Sequence, residues 1–259
     1  MSSAVALQVG HLARRSVVRT LRQPAMVVPS LFFPLILLSV NSGGLESATN
    51  LPGFPTDTYL DFALAVTFVQ GALFSANSAG TNVANDIESG FLKRLSLTPL
   101  RRTALLVGQL SGVVTLGLIQ AVTFLIAGLV AGAGIEAGFA GALVIVALAL
   151  LISLGFGTIG AFVALRTGSG EAVQGIFPLL FAALFLSSVS LPRDLIQTDW
   201  FRTVATYNPV SYMLEAIRSL ILTGWDGEAL ALGFACAGGV ALVALVAASA
   251  ALRTAMVRT

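Results

Sequence analysis

Charge is scarce in this chain. Of its 259 residues only 10% are charged while 56% are hydrophobic, and the mean hydropathy is +0.92. Soluble domains carry roughly a quarter charged residues, so the composition excludes an ordinary soluble domain. Cys236 is the single cysteine and His11 the single histidine. Neither a disulfide framework nor a His/Cys metal site can be built from one chain on that stock. No G-x-x-x-x-G-K-[ST] phosphate loop occurs, which excludes the usual cradle for ATP. The middles of the apolar runs hold almost no ionisable residues, which weighs against a proton or sodium relay. Scattered serines and threonines lack a neighbouring His or Lys to activate them, and no paired carboxylates converge, so no catalytic and no metal-binding residue is assigned.

What is present is a series of long apolar runs. Residues 24–43, 58–79, 104–131, 138–165, 172–191 and 229–252 each approach or exceed the roughly 20 residues needed to cross hydrocarbon as a helix, and none alternates like a barrel strand. The expected fold is an all-α integral membrane protein, a six-span helical bundle forming one domain over 1–259. Pro29 and Pro34 should kink the first span and Pro178 the fifth. The third and fourth exceed the minimum length, so tilt or protrusion is expected. The net charge of +2 reflects bases clustered at span ends, where they face lipid headgroups rather than nucleic acid. With both termini inside, the inner segments hold Arg14, Arg15, Arg19, Arg22, Lys93, Arg94, Arg101, Arg102, Arg166, Arg253 and Arg258, against Arg193, Arg202 and Arg218 outside. That bias predicts six spans with both termini cytoplasmic.

Three segments do not read as spans. In residues 1–23, Gln8, His11, Arg15, Arg19 and Arg22 form a polar stripe opposite Val5, Val9, Leu12, Ala13 and Val17, the pattern of an amphipathic helix lying in the interface with its arginines among anionic headgroups. Arginines before an apolar run look superficially like a signal peptide, but no small-residue cleavage site follows, and retention is expected. Residues 85–102 form a charged island between the second and third spans. There Phe91, Leu92 and Leu95 share one helical face while Lys93 and Arg94 point away, and Thr98 can cap a new helix that starts at Pro99. Residues 192–228 alternate polar turns with the short apolar pieces 200–205 and 212–222, and Asn208 is a good N-cap with Pro209 at the first helical position.

Gly155-Phe-Gly-Thr-Ile-Gly160 matches a dinucleotide fingerprint letter for letter, yet it lies inside an apolar run, without the preceding strand and following acid that such chemistry needs. Close helix packing is the better reading, as for the pairs Gly108/Gly112 and Gly128/Gly132.

Glu88-x-Gly90 followed by Leu95-x-x-Thr98-Pro99-Leu100 resembles the loop between the second and third spans of ABC-2 type transporter permeases, the membrane subunits of ATP-driven exporters such as the daunorubicin-resistance type. Tyr207-Asn-Pro-Val-Ser-Tyr-Met-Leu-Glu-Ala-Ile-Arg218 resembles that family's Asn-Pro-x-x-Tyr-x-x-Glu-x-x-Arg pattern, and the likeness covers nearly the whole chain. The resemblance implies a coupling helix in 85–102 that seats in a separate ATPase subunit, with Asp86, Glu88, Gly90, Phe91, Leu92, Arg94, Leu95, Thr98 and Pro99 as the coupling residues. It implies that the helix carrying Arg15, Arg19 and Arg22 helps contact that ATPase. It also implies re-entrant helices in 192–228 bearing Tyr207, Asn208, Pro209, Tyr212, Glu215 and Arg218. Two ATPase copies carrying ATP and Mg, a second permease copy as homodimer or related heterodimer, surrounding lipids and no nucleic acid follow as partners, with no cofactor on this chain. The expected location is the bacterial inner membrane. Phe62, Phe68, Phe74, Phe177, Phe181 and Phe185 are candidates to line an apolar path, although aromatics at helical spacing more often pack. The implied activity is export of an amphipathic drug or lipid-like substrate. An ion-coupled secondary transporter and a non-transporting membrane assembly factor stay open as alternatives.

Overall fold

The computed structural model describes residues 3–96 and 102–258, with side chains from Leu7 to Leu92, at Arg94, and from Ala104 to Ala255. Among these residues there is no strand, and ten α-helices account for the architecture. They are α1 Ser3–Leu21, α2 Pro24–Gly44, α3 Tyr59–Glu88, α4 Phe91–Ser96, α5 Arg102–Val130, α6 Gly138–Thr167, α7 Gly170–Phe185, α8 Asp199–Tyr207, α9 Pro209–Leu222 and α10 Gly227–Arg258.

Five of these, α2, α3, α5, α6 and α10, are long and apolar enough to cross a bilayer. The expected fifth span, at 172–191, is not one of them. Its helix α7 has 16 residues, about 24 Å at 1.5 Å per residue, which is short of a hydrocarbon core of about 30 Å. It starts where Ser169 Oγ accepts the amides of Glu171 and Ala172. It stops because Leu186-Ser-Ser-Val-Ser-Leu-Pro192 offers hydroxyls that compete with the helical ladder, beginning with Ser187 Oγ donating to the Leu184 carbonyl, and then a proline.

Helix α3 is the axis of the bundle. It packs against α2, α5, α6, α7 and α9, and nearly every side chain from Tyr59 to Gly80 is buried. At 30 residues it is about 45 Å long, well beyond the expected 58–79. The polar stretch from Thr81 to Glu88 continues the helix, so the charged island begins inside α3. At its other end Tyr59 N donates to Glu46 Oε2, which satisfies one orphan amide, while Asp61 Oδ1 accepts Gly134 N from the α5–α6 turn.

The three glycines of the 155–160 motif lie inside α6 and each meets a different neighbour. A β-carbon at 155 would press on Ala241 of α10, one at 157 on Val113 of α5, and one at 160 on the carbonyl of Ala76 of α3. Absence of a side chain lets three helices close on α6, which is the packing reading. Gly108 and Gly112 do the same for α1, facing Leu12 and Ser16, and Gly128 faces Leu64. Gly132 does not pack as a pair with Gly128. At φ +100° it ends α5, where Ala133 N returns to the Gly128 carbonyl, and nothing lies within 4 Å of its β position.

Candidate functional site

Two polar clusters stand out at opposite ends of the bundle. The first joins α1, α3, α4 and α5. On α3 the residues Ser75, Ser78, Asn82 and Asp86 recur at helical spacing and face a narrow crevice of about 40 Å³ shared with Arg15, Arg19 and Gln109. Asp86 ends this seam. Its carboxylate accepts Arg15 Nη1 and Nη2 at 3.1 and 2.8 Å, Arg19 Nη1 at 2.8 Å and Gln109 Nε2 at 3.2 Å. The side chain is 5% exposed, so its charge is balanced by two guanidiniums rather than by water. The hydrogen bonds to Asp86 hold the Arg15 pKa above its ordinary value. The same guanidinium lies 3.9 Å from the ring centroid of Phe91 in α4.

This arrangement adds internal partners to two of the expected groups. Arg15 and Arg19 both pair with Asp86, Arg15 while staying partly exposed, because α1 packs Leu12, Ser16 and Thr20 onto the glycine face of α5 and so aims those arginines at the end of α3. Arg14 and Arg22 stay exposed. Asp86 is an internal partner rather than an outward-facing residue, whereas Glu88 and Arg94 are exposed. Leu92 is buried beside Val83, Ala161, Leu165, Ala248 and Leu252, and Gly90 makes the α3–α4 turn at φ +68°. The Leu95 side chain, Thr98 and Pro99 fall outside the described residues.

The second cluster holds the irregular segment after α7. Arg218 of α9, 5% exposed, donates from Nε to the Phe62 carbonyl at 3.1 Å, from Nη2 to Val189 at 2.8 Å and from Nη1 to Ser188. Tyr59 Oη donates to the Ser190 carbonyl at 3.0 Å, and Ser188 N donates to Ser211 Oγ at 3.1 Å. Asn208 both caps α9, accepting Val210 N at 2.9 Å, and donates to the Ala183 carbonyl of α7 at 2.6 Å. Non-helical backbone that is shielded from water must find its partners inside the protein. Arg218, placed by the resemblance in the segment 192–228, is the buried group that satisfies this backbone. Beside it Arg193 pairs with Glu215 and lies 4.5 Å from the Tyr212 ring centroid. Tyr207 is largely exposed.

The six phenylalanines divide. Phe62 lies under Arg218, 3.5 Å from its ring centroid to the guanidinium carbon, and Phe68 meets Phe124 edge-on at 6.0 Å. Both are core residues, since α3 is enclosed on all sides. Phe74, Phe177, Phe181 and Phe185 run in sequence at 5.3, 5.0 and 6.1 Å, with Phe33 of α2 against Phe74 and Phe181, at the half-buried seam of α2, α3 and α7.

A bundle with five helices long and apolar enough to cross a bilayer, a broken helix at one end and a charged junction of short helices at the other belongs to the class of multi-pass membrane proteins. The sequence matches the ABC-2 type transporter profile over residues 7–222, and the chain belongs to that family. It is 28% identical over 231 residues to the daunorubicin resistance ABC transporter permease protein DrrB1 of Streptomyces coeruleorubidus, covering 85% of this chain and 76% of that one. It is 25% identical to the putative transport permease ycf38 of Porphyra purpurea, with 85% and 76% covered. It is 22% identical to the probable doxorubicin resistance ABC transporter permease protein DrrC of Mycobacterium tuberculosis, with 77% and 70% covered.

Proposed function

We propose that this chain is the permease of an ATP-driven exporter, working as two copies, identical or related, above two ATPase subunits that carry the ATP and Mg, with both termini cytoplasmic in a bacterial inner membrane. The α3–α4 junction is the surface on which the ATPase acts, with Glu88, Phe91 and Arg94 at the contact. The observation that carries this reading is the position of Arg15. It ties α1, the last turn of α3 and α4 into one charged cluster directly beside the exposed Glu88 and Arg94. A push on α4 is thereby delivered to α3, the axis of the bundle, and a nucleotide-dependent closure below would shift the spans between access states. The phenylalanine seam of α2, α3 and α7 supplies apolar surface for an amphipathic drug or lipid-like substrate, in keeping with relatives named for daunorubicin and doxorubicin resistance.

The test is ATP hydrolysis by this chain co-purified with an ABC ATPase subunit of the same organism, wild type against Glu88→Lys. Glu88 is exposed, so the variant should insert and assemble normally. Turnover should fall at least about tenfold, the equivalent of about 1.4 kcal/mol of lost coupling. Full turnover in an intact complex would remove Glu88 from the contact, and failure of any ATPase to co-purify would overturn the exporter reading.

A further inference from the structure

Between α8, α9 and the start of α10 lies an open cavity of about 580 Å³, whose charged lining is Arg193, Arg202 and Arg218 against Asp194, Glu215 and Asp226. A cleft of this volume is of the size that holds a small ligand. Its charges are only partly matched from within the chain. Arg193 and Glu215 pair with each other, but neither Arg202 nor Arg218 has a carboxylate within 4 Å among the described residues. Arg202 donates only to the Ile196 carbonyl, and Arg218 only to backbone carbonyls, so both keep N–H groups to spare. Asp226 uses one oxygen to cap α10, accepting Glu228 N and Ala229 N at 3.0 and 3.1 Å, and has no cation within 4 Å among the described residues. Two guanidiniums, Arg202 and Arg218, and two carboxylates, Asp194 and Asp226, therefore line one cavity without an ion-pair partner within 4 Å among the described residues, as a ligand carrying both signs of charge requires.

The depth of the cavity is marked independently. The chain has two tryptophans and three tyrosines, and all five lie at this end: Tyr59 at the start of α3, Trp200 and Tyr207 on α8, Tyr212 on α9, and Trp225 in the turn before α10. Trp200, Val204 and Tyr207 form one exposed stripe of α8, while Arg202 and Thr206 line the cavity. Such aromatics settle at the level of lipid headgroups. A helix with its aromatic stripe in that layer places the cavity behind it at the same depth.

We infer that this cavity binds the headgroup of a zwitterionic phospholipid from the adjoining leaflet, with the phosphate on Arg202 and Arg218 and the ammonium on Asp226. Guanidinium and phosphate make strong charge-assisted bonds, and the aromatic stripe places the acyl chains in the bilayer outside. The site is complete within one copy of the chain and does not depend on what is exported.

The test uses the full-length chain, purified in delipidating uncharged detergent and read by native mass spectrometry against added dioleoyl-phosphatidylethanolamine. One lipid should be retained per chain, and Arg202→Gln and Asp226→Asn should each weaken retention on the order of tenfold. Asparagine also serves as an N-cap, so Asp226→Asn keeps α10 intact. Equal retention of diacylglycerol, which has the chains without the headgroup, would overturn the assignment, as would unchanged retention in both variants. Retention of phosphatidylglycerol equal to that of phosphatidylethanolamine would overturn the ammonium half. Displacement of the lipid by millimolar inorganic phosphate would show a free-phosphate site instead. A photoreactive headgroup should label residues of the cavity, and labelling confined to the Trp200–Tyr207 stripe would count against it.

Discussion

Arg15 reaches Asp86 from a helix 71 residues earlier in the chain and grips both carboxylate oxygens, at 3.1 and 2.8 Å. Because Arg19 and Gln109 share the same carboxylate, Asp86 is the common acceptor for three donors from α1 and α5. Asp86→Ala strands all three, while Arg15→Lys keeps the charge but loses the planar fork and the contact over Phe91. Asp86→Ala should lower unfolding stability by about 1–3 kcal/mol. Arg15→Lys should cost less stability yet still reduce ATP turnover in the complex, because it loosens α4 from α3. Thermal unfolding in detergent and hydrolysis by the assembled complex separate the two effects. Wild-type turnover in a properly assembled Arg15→Lys variant would mean that the cluster is only a structural tie.

Gly160 sets the closest approach between α6 and α3. A methyl group there collides with backbone, the carbonyl of Ala76, and no rotamer change can relieve it. Gly160→Ala should therefore force the two helices apart at a cost of about 1–3 kcal/mol or more. Gly238 of α10 is the control, since nothing lies within 4 Å of its β position. Gly238→Ala should be neutral or stabilise by up to about 1 kcal/mol through helix propensity. The comparison is read from melting curves of the two purified variants. Equal behaviour would show that α6 and α3 can slide to accommodate the methyl group.

The apolar runs were enough to read α2, α3, α5, α6 and α10, because a stretch of uncharged residues long enough to span has few other uses. Asn208-Pro209 was equally plain, since a side-chain cap followed by proline is a local device. What escaped depended on distant partners. The polar residues 81–88 look like loop until α1 supplies two arginines to neutralise Asp86 in the last turns of α3. The run to Leu191 looks like continuous helix, because its serines and the carbonyls they leave open are visible only once α9 faces them. Phe62 and Phe68 gave no facial signal, since a helix buried all round has no polar side against which to measure one. The role of Arg218 within its segment was hidden for a related reason. Its acceptors are backbone carbonyls, which no residue letter displays.

That buried guanidinium yields the sharpest test of the broken helix. Arg218 satisfies the carbonyls of Phe62, Ser188 and Val189 at once, and leaving any of them buried and unpaired costs about 1–3 kcal/mol. Arg218→Met preserves volume and apolar packing but donates nothing. Arg218→Lys donates from a single point and cannot span acceptors on two elements. Both variants should loosen residues 186–192 more than they disturb the long helices. With Cys236→Ala as background, a cysteine at Val189, buried in the native protein, should label slowly with a membrane-permeant maleimide. In Arg218→Met it should label at least about tenfold faster, the rate change expected for about 1.4 kcal/mol of lost local protection. The melting transition of the bundle should fall less than the sum of three orphaned carbonyls implies, since water can reach a loosened segment near the interface. Unchanged labelling in both variants would mean that Tyr59, Ser211 and Asn208 hold the segment without Arg218.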